Sequence, residues 1–178
     1  MQLGLTWPLQ RLLHISVPYG VPLERGFCWD AHCITLRGRS SLLLVHCESR
    51  HTCVRFDLSG QDWSRLEEII PEEIRLGLLE AGLDEARTER YLSDAGPLQM
   101  TRTHGRREVA FLNRAWEDVL TADLLVDTSS QRQPLLNHAV NSRICRCAGA
   151  ADLSSAHEHL LRYFERTVAA NSKSAVKE

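Results

Sequence analysis

Apolar positions along this chain recur with two different periods, and the change of period separates the predicted elements. Leu3-Gly4-Leu5 reads as a short strand, and Thr6 as the N-cap of a brief helix that tolerates Pro8 in its first turn and turns Leu9, Leu12 and Leu13 inward. Residues 16–27 carry Pro18, Gly20, Pro22 and Gly26 and read as loop. Strands follow at roughly 28–36, 42–47 and 51–57, joined by short turns around 37–40 and 48–50, a spacing that favours antiparallel hairpins. Then Trp63, Leu66, Ile69, Ile70, Ile74 and Leu78 recur at helical spacing behind a cap at Asp62, with Pro71 dividing or kinking the run. Gly82 ends that helix, and Asp84 caps a shorter one through Tyr91 and Leu92. Residues 97–103 read as a last strand, Thr103-His104-Gly105-Arg106 as its exit turn, and Arg107 to about Leu125 as a helix.

Beyond residue 126 a polar connector leads to helices predicted at 134–147 and 153–170, and residues 171–178 read as a frayed tail. The layout predicts an α+β fold: a small antiparallel hairpin sheet packed against helices, with a helical C-terminal extension. Residues 1–125 form the expected domain and 126–170 the extension. Leu153, Ala156, Leu160, Leu161, Phe164 and Val168 make an apolar stripe that packs on the chain itself or serves a protein partner or self-association.

Composition narrows the function classes. The 178 residues carry a formal net charge of -2, which removes any global pull toward nucleic acid or acidic membranes. The charge is uneven: residues 62–94 hold ten acids against four arginines, while 100–116 hold four arginines and one acid. No run of 18 apolar residues predicts a membrane span. The N-terminal stretch lacks the basic region and apolar run of an export signal, so the six cysteines read as reduced thiols in a cytoplasm.

Certain motifs then carry a resemblance. They are Leu5-Thr6-Trp7-Pro8-Leu9 with the following leucines, Trp29-Asp30-Ala31-His32, Arg37-Gly38-Arg39 before an apolar strand, and Thr103-His104-Gly105-Arg106 with Leu112-Asn113-Arg114. In order and spacing, over roughly residues 3–120, the chain resembles an uncharacterised bacterial domain-of-unknown-function family of small cytoplasmic proteins, frequent on phage and plasmid-like elements. The resemblance implies a fold and a residue set but no activity. Arg114 stands where that family usually has Asp, and Arg107–Phe111 replaces a Ser-rich stretch, which weakens any acid–base role there.

Within that set, Trp29, His32, Arg106 and Asn113 form a candidate pocket: a stacking face, a proton-exchanging imidazole, an anion fork and an amide edge. A ribonuclease-like enzyme would add His104 to His32 and Arg106 as acid, base and phosphorane-stabilising cation. A non-catalytic nucleic-acid binder would use Arg37, Arg39, Arg102, Arg106 and Arg107. For zinc, strand alternation lets His51 and Cys53 share an ion but separates His46 from Cys47, and Cys145 and Cys147 offer two further thiols. Glu67, Glu68, Glu72 and Glu73 read as a solvated helix face, and His157 and His159 as surface. No cofactor motif is present. The leading expectation is a binding or regulatory module that acts through protein contacts, and the nucleic-acid-directed enzyme and binder are its alternatives.

Overall fold

The strand β1 (Gln2–Leu5) is buried at every position, as expected of a strand flanked on both edges and covered on both faces. In the computed structural model, which describes residues 1–147 and 153–174, β1 pairs in parallel with β2 (Cys28–Leu36) on one side and β5 (Gln99–Arg102) on the other. The strands β3 (Arg39–His46) and β4 (Thr52–Arg55) continue antiparallel from β2, giving the order β4-β3-β2-β1-β5. The sheet is therefore mixed, which corrects the purely antiparallel reading. The crossover from β1 to β2 runs through α1 (Trp7–Leu12), a helix of six residues followed by a Pro- and Gly-bearing loop. So short a helix has no period to read, and the parallel unit it builds is silent in the sequence.

The helices depart from expectation where local chemistry decides. Ser59, rather than Asp62, caps α2 (Gly60–Ser64), and Asp62 returns the bond to complete a capping box. The break falls at Arg65, and α3 (Leu66–Glu80) continues through Pro71. There the ring lies in the second turn and removes a single i→i−4 bond. Asp84 caps α4 (Glu85–Ala95) as predicted. After α5 (Arg106–Thr121), α6 (Pro134–Asn141) stops short of 147, because Ile144–Cys145 (β6) pairs with Ser154–Ser155 (β7) in a two-stranded hairpin. The final helix α7 (Ala156–Ser174) runs into the stretch read as frayed, of which residues 175–178 lie outside the described residues.

Two apolar layers clasp the sheet. One face presents Leu3, Leu5, Trp29, Ala31, Leu42 and Leu44 to α1, α3, α4 and α7, the last through Leu160, Tyr163 and Phe164. The other presents Ile34, Leu36, Leu43, Val45 and Val54 to Leu112, Ala115 and Val119 of α5 and to Leu136 and Val140 of α6. Packing thus runs on through residue 126. The stripe on α7 is turned inward at Ala156, Leu160 and Phe164. Glu73, read as solvated, is 2% exposed and pairs with Arg55, and its burial pushes its pKa up to about 7. Among the described residues no helix is long and apolar enough to cross a membrane.

Helix α3 meets β4 so closely that Gly77 has no room for a side chain: a Cβ there would lie 2.4 Å from Cys53 Sγ. A helix-interior Gly→Ala change normally stabilises by about 1 kcal/mol. Gly77→Ala is expected to destabilise instead, by about 1–3 kcal/mol. In a Cys53→Ala background the same change should recover its usual favourable sign. Urea denaturation of the four proteins in this double-mutant cycle checks it, and additivity of the two changes would refute the packing account.

Candidate functional site

On the α5 side of the sheet, β1 contributes Gln2 and Gly4, where the farther strands β3 and β4 contribute the apolar Leu43, Val45 and Val54. Gly4 is flanked in register by Asp30 on β2 and Thr101 on β5. A Cβ on Gly4 would lie 1.9 Å from Asp30 Oδ1, 2.8 Å from Thr103 Cα and 2.9 Å from His104 Nδ1. Glycine is therefore what lets the turn after β5 fold down over β1 and bring His104 to Asp30. His104 Nδ1 donates to Asp30 Oδ1 at 2.6 Å, and Nε2 donates to Gln2 Oε1 at 3.3 Å. Cys47 Sγ lies 3.6 Å from the same Nδ1. Asp30 Oδ2 is buried without a hydrogen-bond partner.

Electrostatics follow from this enclosure. Burial opposes a charge on His104, but hydrogen bonds to Asp30 and Cys28 and the charge of Asp30 outweigh it and hold the imidazole pKa at about 9. Both ring nitrogens then donate, as the contacts to Asp30 and Gln2 require. Burial also pushes the Asp30 carboxyl above its ordinary value, with His104 pulling it back. Next to this pair, the buried carboxylate of Glu108 takes Arg25 and Arg107, each at 2.8 Å.

Beside His104 opens a cleft of about 270 Å³ lined by Gln2, Tyr19, Val21, Leu23, Arg25, Cys28, Arg102 and Thr103 among others. Its outer wall is the loop before β2, strapped down by three bonds: Gln2 Nε2 to Val21 O at 2.8 Å, Arg102 N to Pro18 O at 2.9 Å and Arg102 Nε to Val17 O at 3.3 Å. The Arg102 guanidinium sits 4.6 Å from the centre of the Tyr19 ring. Around the cleft, Arg25, Arg102, Arg107 and charged His104 outnumber Asp30 and Glu108 by two charges.

The arrangement suits anion binding better than nucleophilic attack. A Cys–His–Asp relay needs the thiol and the carboxylate on different ring nitrogens, and here both address Nδ1. The Cys47 thiol is also pushed well up by burial, which disfavours a thiolate.

Of the residues singled out in the sequence, Trp29 and His32 are three apart on one strand and so face opposite layers. Trp29 is fully buried and donates from Nε1 to Tyr91 Oη at 2.9 Å. His32 is bonded to Thr6 Oγ1 at 2.8 Å, lies edge-on to Trp116 and has its pKa lowered by burial. Arg106 and Asn113 lie on the exposed side of α5. Because Trp29 is on the far side of the sheet, the four do not form one pocket. The arginines are dispersed as well. Arg37 pairs with Asp123, Arg39 with Asp57 and Arg107 with Glu108. Arg102 is level with Ala31, roughly 20 Å along the strands from Arg37. His51 and Cys53 are both buried, yet among the described residues neither belongs to a group of three potential metal ligands.

Asp30 stood inside the Trp29–His32 motif and His104 inside the exit turn, so both halves of the site were in view. The alternation that sets Asp30 with His32 and against Trp29 was legible. The pairing of residues 74 positions apart was not.

The chain belongs to the family described as a domain of unknown function, DUF6933, which it matches over residues 2–159. That span holds the whole polar centre, the cleft and both core layers as far as the first turn of α7. No curated protein matches the chain.

The upward shift of His104 has a sign that stability can read. A pKa raised from 6.5 to about 9 on folding contributes stability that is complete below 6.5 and is lost as pH rises through about 9. The raised Asp30 acts in the same direction. The wild-type melting temperature should fall across this window, and His104→Gln should flatten that fall. Thermal melts from pH 6 to pH 10 compare the two, and parallel profiles would dismiss the charged pair.

Proposed function

We propose that the protein is a non-catalytic binding module that engages a partner protein through the cleft beside His104, which takes up an acidic side chain of that partner. The observation that carries this reading is the pairing of a surplus of positive charge with exposed apolar residues at one mouth. Arg25, Arg102 and His104 supply the charge, and Tyr19, Val21 and Leu23 stand exposed around them. Arginine and tyrosine anchors at the rim of a preformed concavity are what protein interfaces concentrate. The partners already held by Cys47 and His104 argue against turnover at the polar centre. Carriage on phage or plasmid-like elements, implied by the resemblance, fits a regulator that acts on another protein.

Capture of partners from an extract of the source cells by tagged full-length protein tests this. The wild type is expected to retain a protein whose binding weakens with ionic strength. Arg102→Glu should lower that affinity by about tenfold or more while the chain still melts cooperatively. His32→Ala and Arg106→Ala, the substitutions that would disable a ribonuclease-like site, should bind as the wild type does. Equal capture by Arg102→Glu would overturn the proposal. Recovery of RNA or DNA in place of protein would favour the nucleic-acid reading instead.

A further inference from the structure

We propose that Cys145, Cys147 and His159 form a binding site for a soft divalent metal ion, zinc by the chemistry of its donors, which ties the β6–β7 hairpin to α7. Cys145 ends β6 and Cys147 follows two residues on, and their thiols converge. His159 comes from the first turn of α7. One potential ligand atom from each lies within 4.8 Å of the others, and all three side chains are buried. Zinc holds sulfur at about 2.3 Å and imidazole nitrogen at about 2.0 Å, which sets tetrahedral donors about 3.5 Å apart. A small inward shift of these side chains reaches that geometry. Two thiolates and a neutral imidazole match the charge of the ion, so the filled site adds no net charge to a buried region.

The local packing supports a cross-link at this point. The strands β6 and β7 have two residues each, and among the described residues the apolar cluster at this point consists of Cys145, Cys147 and Ala156. A hairpin of that size does not hold itself together in water, and metal ligation is one way small units are stapled. Existing contacts of the donors are modest: Cys147 Sγ donates to Ser49 O at 3.1 Å, and His159 Nε2 reaches Cys145 O only at 3.4 Å. Arg50, whose Nε is buried without a hydrogen-bond partner, brings its positive charge close to Cys145, where it steadies a metal-bound thiolate. Asp30, Cys47 and His104 also converge, but there the carboxylate and the ring nitrogen are already bonded to each other. Among the described residues the site supplies three ligands, which leaves a fourth position for water or an outside donor. Binding transfers the thiol protons to solvent.

The test is cobalt and zinc binding by the purified, reduced full-length chain. One equivalent of Co²⁺ should produce a near-ultraviolet thiolate-to-cobalt charge-transfer band with visible tetrahedral ligand-field bands, and Zn²⁺ should abolish both. Cys147→Ser and His159→Ala should lose the charge-transfer band or weaken cobalt binding at least tenfold, while Cys47→Ser keeps it. If those variants fail to fold, the wild type decides: a strong zinc chelator should lower its melting temperature and added zinc should restore it. No cobalt band, loss of the band in Cys47→Ser but not in Cys147→Ser, or a melting temperature indifferent to chelator and zinc would each overturn the proposal.

Discussion

A carboxylate withdrawn from water needs a counter-charge, and Asp30 obtains one only because Gly4 lies between it and the turn that brings His104. A side chain at Gly4 would occupy the space of both partners. Much of the molecule is arranged around that contact. It ties β2 to the end of β5 across β1, precedes the start of α5, and leaves His104 charged at the edge of the cleft. An unpaired carboxylate in the same place would carry a desolvation penalty of several kcal/mol. The pair thus supports the fold before it is a feature of any site.

A second buried network holds the other side of β2. The Gly26 carbonyl accepts from Tyr91 Oη at 2.8 Å and from His46 Nε2 at 3.0 Å, while Tyr91 accepts from Trp29 Nε1. Burial lowers the His46 pKa to about 4, so the ring is neutral and its Nδ1 is free to accept from Ser49 Oγ at 2.8 Å. Gly26 itself lies against Tyr163 with no space for a Cβ. With the backbone pinned there, Arg25 and Cys28 on either side are delivered to the cleft. The Trp29 of the sequence motif thus acts at a distance, by fixing the strand whose opposite face carries Asp30.

The two helical layers differ in what they leave open. Toward α1, α3, α4 and α7 the apolar face is continuous from β4 to β1. Toward α5 and α6 the apolar cluster covers β2 to β4 and gives way to polar groups at β1 and β5. Buried charge, glycine and cleft all coincide at this margin, because it is where the helix layer ends and a loop completes the cover.

How much of this was written in the chain depends on the range of each interaction. The hairpins β2–β3–β4, the Asp84 cap and the amphipathic face of α5 rest on neighbours within a few residues, and the sequence by itself determined them. Partners for β1 could not be read, since its burial at every position carries no alternation and the short α1 leaves no period. His159 looked like surface from its spacing, and Glu73 like a solvated acid. The pairing of β6 with β7 and the guanidinium of Arg55 instead accompany the burial of both. Asp30 and His104 each sat in a motif that drew attention, but which of the motif residues would meet was decided by a glycine on a third strand. Local periodicity reports which way a side chain points. Only the tertiary structure decides what waits there, because strand order brings together residues whose separation in sequence leaves no trace in either neighbourhood.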